Sequence, residues 1–257
     1  MIRRSQAKIA TKYMLLVGLA LILGLTGRAF SQQAAQRGQG GGQNAAGAKP
    51  APGKGAHPTL FFSEPWHQDM KEQHPLSQVN VSNPNLELKF YGSGKQMEIT
   101  GADDGGEDNP VRIFMGTCVN PCGAMFRDKN NYVDLSGLAR IKWLTRVSGF
   151  HKLRPMVKLA DGTVLVGDHA EGEISDYYET MYAIADIHWI KVDPDKLLAH
   201  GDFLNRVDLS LVDEVGFVDM MPGSGHGQGG FSSMSRMAVY GKPVPRSSVQ
   251  SRASSGN

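Results

Sequence analysis

Arg140-Ile141-Lys142-Trp143-Leu144-Thr145-Arg146-Val147 is the stretch whose reading decides the fold. Ile141, Trp143, Thr145 and Val147 alternate with Arg140, Lys142, Leu144 and Arg146, and a period of two sends successive side chains to opposite faces of a half-buried strand. Residues 152–159 read as a second strand, and Asp161-Gly162 turns the chain tightly into residues 163–167, which predicts a hairpin with a two-residue primed loop. Outward from this centre the same period returns: Leu86, Leu88 and Phe90 alternate with Glu87, Lys89 and Tyr91, and Val111, Ile113 and Met115 with Arg112 and Phe114. Residues 181–189, 214–219 and 235–240 are further strand candidates, and 194–200 is the one stretch that reads as helix. Short strands separated by turn signals predict an all-β chain folded as an antiparallel β-sandwich.

The flanks are of a different kind. Arg3, Arg4, Lys8 and Lys12 precede an apolar run at 13–25, and Ala29-Phe30-Ser31 supplies small residues where a signal peptidase reads, so residues 1–31 are expected to be a secretory signal cut before Gln32. The run is shorter than the about 20 apolar residues of a membrane-spanning helix, and no cysteine stands near the cut to carry a lipid. Residues 32–58 are rich in Gly, Ala, Gln and Pro, with no acid, and cannot bury enough surface to offset the entropy of ordering. Residues 247–257 have the same character. The folded part is therefore 59–246, one domain by length.

The chain has 257 residues, 40% apolar and 20% charged, which excludes a fibrous or low-complexity protein. Nine of its 27 bases lie in the flanks, leaving 18 against all 25 acids, a net of −7 in the body. That balance argues against a nucleic-acid partner.

Val133-Asp134-Leu135-Ser136 and Val207-Asp208-Leu209-Ser210 repeat one tag, in which Asp and Ser can hold a turn while Leu enters the core. An Asp-Leu-Ser-Gly turn before a strand, a hairpin, a second Asp-Leu-Ser and a final Val239-Tyr240-Gly241 resemble the galactose-binding-domain-like jelly roll. That fold serves many carbohydrate-binding modules and the complex I intermediate-associated assembly proteins, so the resemblance implies a jelly-roll sandwich and a choice between glycan binding and scaffolding. The phrases Gly149-Phe150-His151-Lys152-Leu153-Arg154-Pro155 and Leu159-Ala160-Asp161-Gly162 are similar to those of uncharacterised secreted bacterial proteins.

Several groups could carry chemistry. Arg140, Lys142 and Arg146 share one phase of their strand, and Lys152, Arg154 and Lys158 one phase of the next. If the two strands pair, six cations form a platform for carboxylated or sulfated sugar, because guanidinium binds carboxylate bidentately; the alternative is a solvated face balanced by acids such as Glu179 or Asp186. Trp189, in a strand, and Tyr177 and Tyr178, in a loop beside Asp176, are candidate stacking surfaces for a sugar ring, whereas Trp143 shares its phase with Ile141 and belongs to the core. The loop at 223–230, with five glycines and His226, permits close backbone approach to a ligand. Asp103, Asp104, Glu107 and Asp108 concentrate carboxylates in a loop where calcium would find oxygen ligands. Cys118 and Cys122 are placed to close a small disulfide loop after export. An exported hydrolase or lyase would draw on His151, Asp168, His169, Asp176, Asp186, His188 and His226.

Overall fold

The computed structural model describes residues 58–68, 72–102, 106, 109–221 and 230–248. The expected signal, nearly all of the linker, the carboxylates Asp103, Asp104, Glu107 and Asp108, and His226 lie outside the described residues. The strands, in chain order, are β1 (Leu60–Glu64), β2 (His74–Pro75), β3 (Leu86–Gly92), β4 (Glu98–Thr100), β5 (Arg112–Phe114), β6 (Cys122–Asp128), β7 (Asn131–Asp134), β8 (Arg140–Ser148), β9 (Leu153–Leu159), β10 (Val164–Gly167), β11 (Ile174–Ala183), β12 (Trp189–Val192), β13 (Ala199–Leu204), β14 (Val212–Asp219), β15 (Phe231–Tyr240) and β16 (Lys242–Pro245).

They form two sheets. Sheet A runs β11-β8-β15-β5-β4-β2, with β1 beside the end of β15; sheet B runs β13-β12-β10-β9-β14-β6-β3, with β7 touching β14 and β16 pairing with β7. Strand pairing is antiparallel throughout, and neighbours such as β8 and β15 or β6 and β14 are distant in sequence, as a jelly-roll sandwich requires. Between the sheets lies a core that includes Trp143, Ile141 and Val147 from β8, Phe126 from β6, and Val215 and Phe217 from β14.

The opening alternation is realised on β8, where Ile141, Trp143, Thr145 and Val147 are buried and Arg140 and Arg146 are exposed. The two Asp-Leu-Ser tags do what their chemistry suggests. Ser136 N–H donates to Asp134 Oδ1 and Ser210 N–H to Asp208 Oδ1, both at 2.9 Å. Leu135 and Leu209 are buried, and Leu135 N–H donates to Leu209 O, so the two tags meet.

Four local expectations are corrected. The β9–β10 loop has three residues, not two: Leu159 N–H donates to Thr163 O, and Gly162 at φ +89° absorbs the extra residue in a left-handed bulge. The stretch 181–189 is split, because β11 ends at Ala183 and the 3-10 turn Ile184–Asp186 carries the chain to the other sheet. No helix forms at 194–200. Asp193 Oδ1 instead accepts the N–H groups of Asp195 and Lys196, and Leu197 sits at φ 54°, outside the helical range. Tyr177 and Tyr178 lie within β11, not in a loop.

Sheet B is apolar on its inner face and over part of its outer face, where an apolar patch adjoins a charged row of Glu87, Arg127, Glu214 and Lys158. Its outer side carries Tyr91, Met125, Met156, Val164, Val166, Val192 and Val218, clustered with Leu197. Pro194 O accepts the N–H of Gly92 at 3.3 Å, so the β12–β13 connection reaches the opposite edge of its own sheet and covers that apolar cluster.

Candidate functional site

β8 belongs to sheet A and β9 to sheet B, so the six-cation platform does not exist. Each half meets a different fate. On sheet B, Arg154 Nη1 donates to Gly167 O (3.3 Å) and Asp168 O (2.8 Å), tying β9 to the end of β10. Lys158 Nζ lies 3.0 Å from Oε1 of the buried Glu214, whose Oε2 accepts the Tyr91 hydroxyl at 2.6 Å. Burial and that bond push the Tyr91 phenol well above its ordinary range. Arg154 and Lys158 are thus structural, and Trp189, 3% exposed, is core instead of a stacking platform.

On sheet A the outward phase of β8 remains open, and the register shows what stands beside it. Arg140 is flanked by Ala183 and Tyr240, Lys142 by Met181 and Ala238, and Leu144 by Glu179 and Arg236. Two cavities open on this face. One, of about 540 Å3, is lined by Arg140, Lys142, Glu179, Met181 and Tyr240 among others; the second, of about 530 Å3, by Leu144, Asp176, Tyr177, Glu179, Ser235 and Arg236 among others. Glu179 bounds both.

The electrostatics of the face are uneven. Glu179 Oε1 lies 2.7 Å from Lys142 Nζ, and its Oε2 accepts from Arg236 Nη2 at 2.8 Å. The hydrogen bond from Lys142 leads the effects that hold this carboxyl below its usual range, with burial opposing and Arg236 assisting. Arg140 and Arg146 are in no ion pair among the described residues. The Arg146 guanidinium lies over the Phe231 ring, 5.6 Å from its centroid, and Phe231 packs on Phe114. Tyr177 is half-buried at this end; burial raises its phenol, while the nearby charges of Arg112 and Arg146 oppose the rise. Arg112 donates to Asn109 Oδ1 at 2.7 Å. A half-buried ring with apolar area and a polar rim, set among guanidinium groups, can hold a sugar ring and a carboxylate together.

Sequence reasoning finds Arg140, Lys142 and Tyr177 but misses Arg112, Phe231 and Arg236. Arg236 is the one charged residue of β15, yet its place next to Leu144 follows only from the register.

Catalytic residue types also meet elsewhere. His151 Nδ1 is 2.6 Å from Asp219 Oδ2, and Asp219 also accepts the Ser232 hydroxyl and the Met221 N–H. In a hydrolytic triad the imidazole lies between serine and carboxylate. Here the carboxylate lies between the other two, so no base faces the serine, and all three side chains are buried. Asp168 accepts from His169 and His188 at 3.0 and 2.7 Å. Burial pushes its carboxyl up, but these bonds and the His188 N–H outweigh it and hold it well below the usual range. Asp186 lies in the turn between β11 and β12. Among the described residues, no group of three or more His, Cys, Asp or Glu is arranged to hold a metal ion.

Cys118 and Cys122 form a disulfide, with Cα atoms 6.3 Å apart. Among the described residues no helix is long and apolar enough to cross a membrane.

No family model and no curated protein matches the chain. Similar solved structures include a family 11 carbohydrate-binding module from Clostridium thermocellum in complex with a β-1,3-1,4-mixed-linked tetrasaccharide, at 12% identity and TM-score 0.39 over 67% of this chain and 97% of that one. An exo-β-agarase is similar at 10% identity and TM-score 0.39, over 68% of this chain and 26% of that one. The sandwich described above rests on its own strand pairings.

Proposed function

We propose that the chain is an exported, non-catalytic carbohydrate-binding module whose ligand is an acidic polysaccharide lying along the outer face of sheet A. The observation that carries this reading is the pair of adjoining cavities in which a half-buried Tyr177 and the cations of β8 and β15 face outward. The space between the sheets is a filled core and an apolar cluster covers part of the outer side of sheet B, whereas the sheet A face holds two adjoining open cavities. Export is supported by the charged and apolar pattern of residues 1–31 and by the Cys118–Cys122 disulfide, which persists in an oxidising compartment.

The test is a glycan array holding neutral, uronate-bearing and sulfated polymers, with product analysis on every hit. Binding to acidic polymers without turnover is the expected result. Turnover would convert the reading to a hydrolase or lyase, and silence on all glycans would favour an assembly role instead.

A further inference from the structure

Glu179 occupies the position in which a ligand's carboxylate would be held, between Lys142 Nζ at 2.7 Å and Arg236 Nη2 at 2.8 Å. It stands at the junction of the two cavities and across from Leu144 on β8. Both cationic donors at the middle of the face are therefore already engaged by the protein's own anion, which lowers their combined charge from +2 to +1. Beyond it on one side is Arg140, and on the other Arg146, both on the outward phase of β8. At about 3.3 Å per residue the six steps between them span roughly 20 Å.

We infer that Glu179 is a specificity residue: by engaging Lys142 and Arg236 it leaves the guanidinium groups of Arg140 and Arg146, unpaired among the described residues, as two separated stations on the face and selects a polymer whose acidic groups are spaced by neutral sugar. The inference rests on the reading of this face as a polysaccharide site. A second carboxylate brought beside Glu179 meets like charge, which disfavours it. A neutral sugar there can donate hydroxyl hydrogens to the Glu179 oxygens and lay its C–H surface on Leu144 and Met181. Carboxylates further along the chain then reach Arg140 at one end and Arg146 at the other. A single short sugar cannot touch both stations, so the ligand is an extended chain.

The experiment titrates the wild type and Glu179→Gln at low salt with three polymers: a uronate homopolymer bearing a carboxylate on every residue, a polymer alternating uronate with neutral sugar, and a neutral glucan. The wild type is expected to prefer the alternating polymer. Glu179→Gln should tighten binding of the homopolymer on the order of fivefold, while changing the alternating polymer less than about twofold. Glu179→Ala serves as a second variant, and thermal unfolding confirms that each is folded. An unchanged preference between the two acidic polymers in both variants overturns the inference and leaves the polysaccharide reading standing. Equal gains on both polymers also overturn it, since Glu179 would then repel acids without choosing among them. A neutral glucan bound as tightly as the alternating polymer removes the charge selection altogether. No binding of any polymer by any of the proteins ends the functional reading and the inference together.

Discussion

Glu64 has no exposed surface and carries no cationic partner among the hydrogen bonds that hold it. Its two oxygens instead accept the N–H groups of Trp66 (2.8 Å), Ser82 (2.9 Å) and Asn83 (3.0 Å), pinning the end of β1 to the loop ahead of β3. An amide in its place would turn one acceptor into a donor facing donors, so Glu64→Gln should cost about 1–3 kcal/mol in a denaturant melt. Asp168 makes a pH argument at the same scale. Its folded-state pKa lies below the unfolded value near 3.9, so it adds stability above that value and loses the contribution as pH falls through the folded pKa. The midpoint of thermal unfolding should therefore fall on acidification from about pH 5 towards pH 2, and Asp168→Asn should flatten that limb. None of these partnerships is legible in sequence, because Glu64 and Asn83, or Asp168 and His188, are joined by the fold and not by spacing. Trp189 was misplaced for the same reason. A strand end gives no sign of which side its ring faces, and here it is the core.

The interior strand β8 could be read from its alternation because sheet A is wet on one face, so the buried and exposed phases differ in residue type. In sheet B the signal fades. Cys122 to Phe126 of β6 are buried without interruption, since Ala124 and Phe126 face the main core and Met125 faces the second cluster, so no polar phase marks the strand. The helix expected at 194–200 failed on a related point. Leu197 is apolar at a spacing a helix could use, but it is drawn into the second cluster by the β12–β13 connection, with Asp193 holding the turn. Close packing of this kind gives a sharp test at Gly216, in the middle of β14 between β6 and β9. A Cβ there would fall 2.0 Å from Ala124 O. Gly216→Ala should therefore destabilise by about 3 kcal/mol or yield no soluble folded protein, read by expression level and melting temperature. The sheet A ligand face lies on the other sheet, so any folded fraction should keep its polysaccharide affinity.

Charge distributes over the molecule in a way that neither the net of −7 nor the runs of cations within single strands conveys. Consecutive strands β8 and β9 cross from one sheet to the other, and this crossover separates cations that look contiguous along the chain into two roles. Those of β9 are consumed internally, by Glu214 for Lys158 and by two backbone carbonyls for Arg154. Those of β8 and β15 face outward around Glu179, with Arg140 and Arg146 in surplus. Arg154→Ala should then lower the unfolding free energy by about 1–3 kcal/mol, since two carbonyls lose a charged donor, and leave the affinity for an acidic polymer unchanged in the folded protein. Arg146→Ala should do the reverse: its only described ring contact is with Phe231, so stability should shift by less than about 0.5 kcal/mol while affinity drops on the order of tenfold. Salt provides an independent axis. Raising ionic strength screens exposed charges, so wild-type binding should weaken steeply, and the Arg140→Ala/Arg146→Ala double variant should show a shallower dependence. Arg154→Ala should keep the wild-type slope. Should Arg154→Ala flatten the slope and Arg146→Ala leave it intact, the ligand would lie on the outer face of sheet B, beside the half-exposed Arg154.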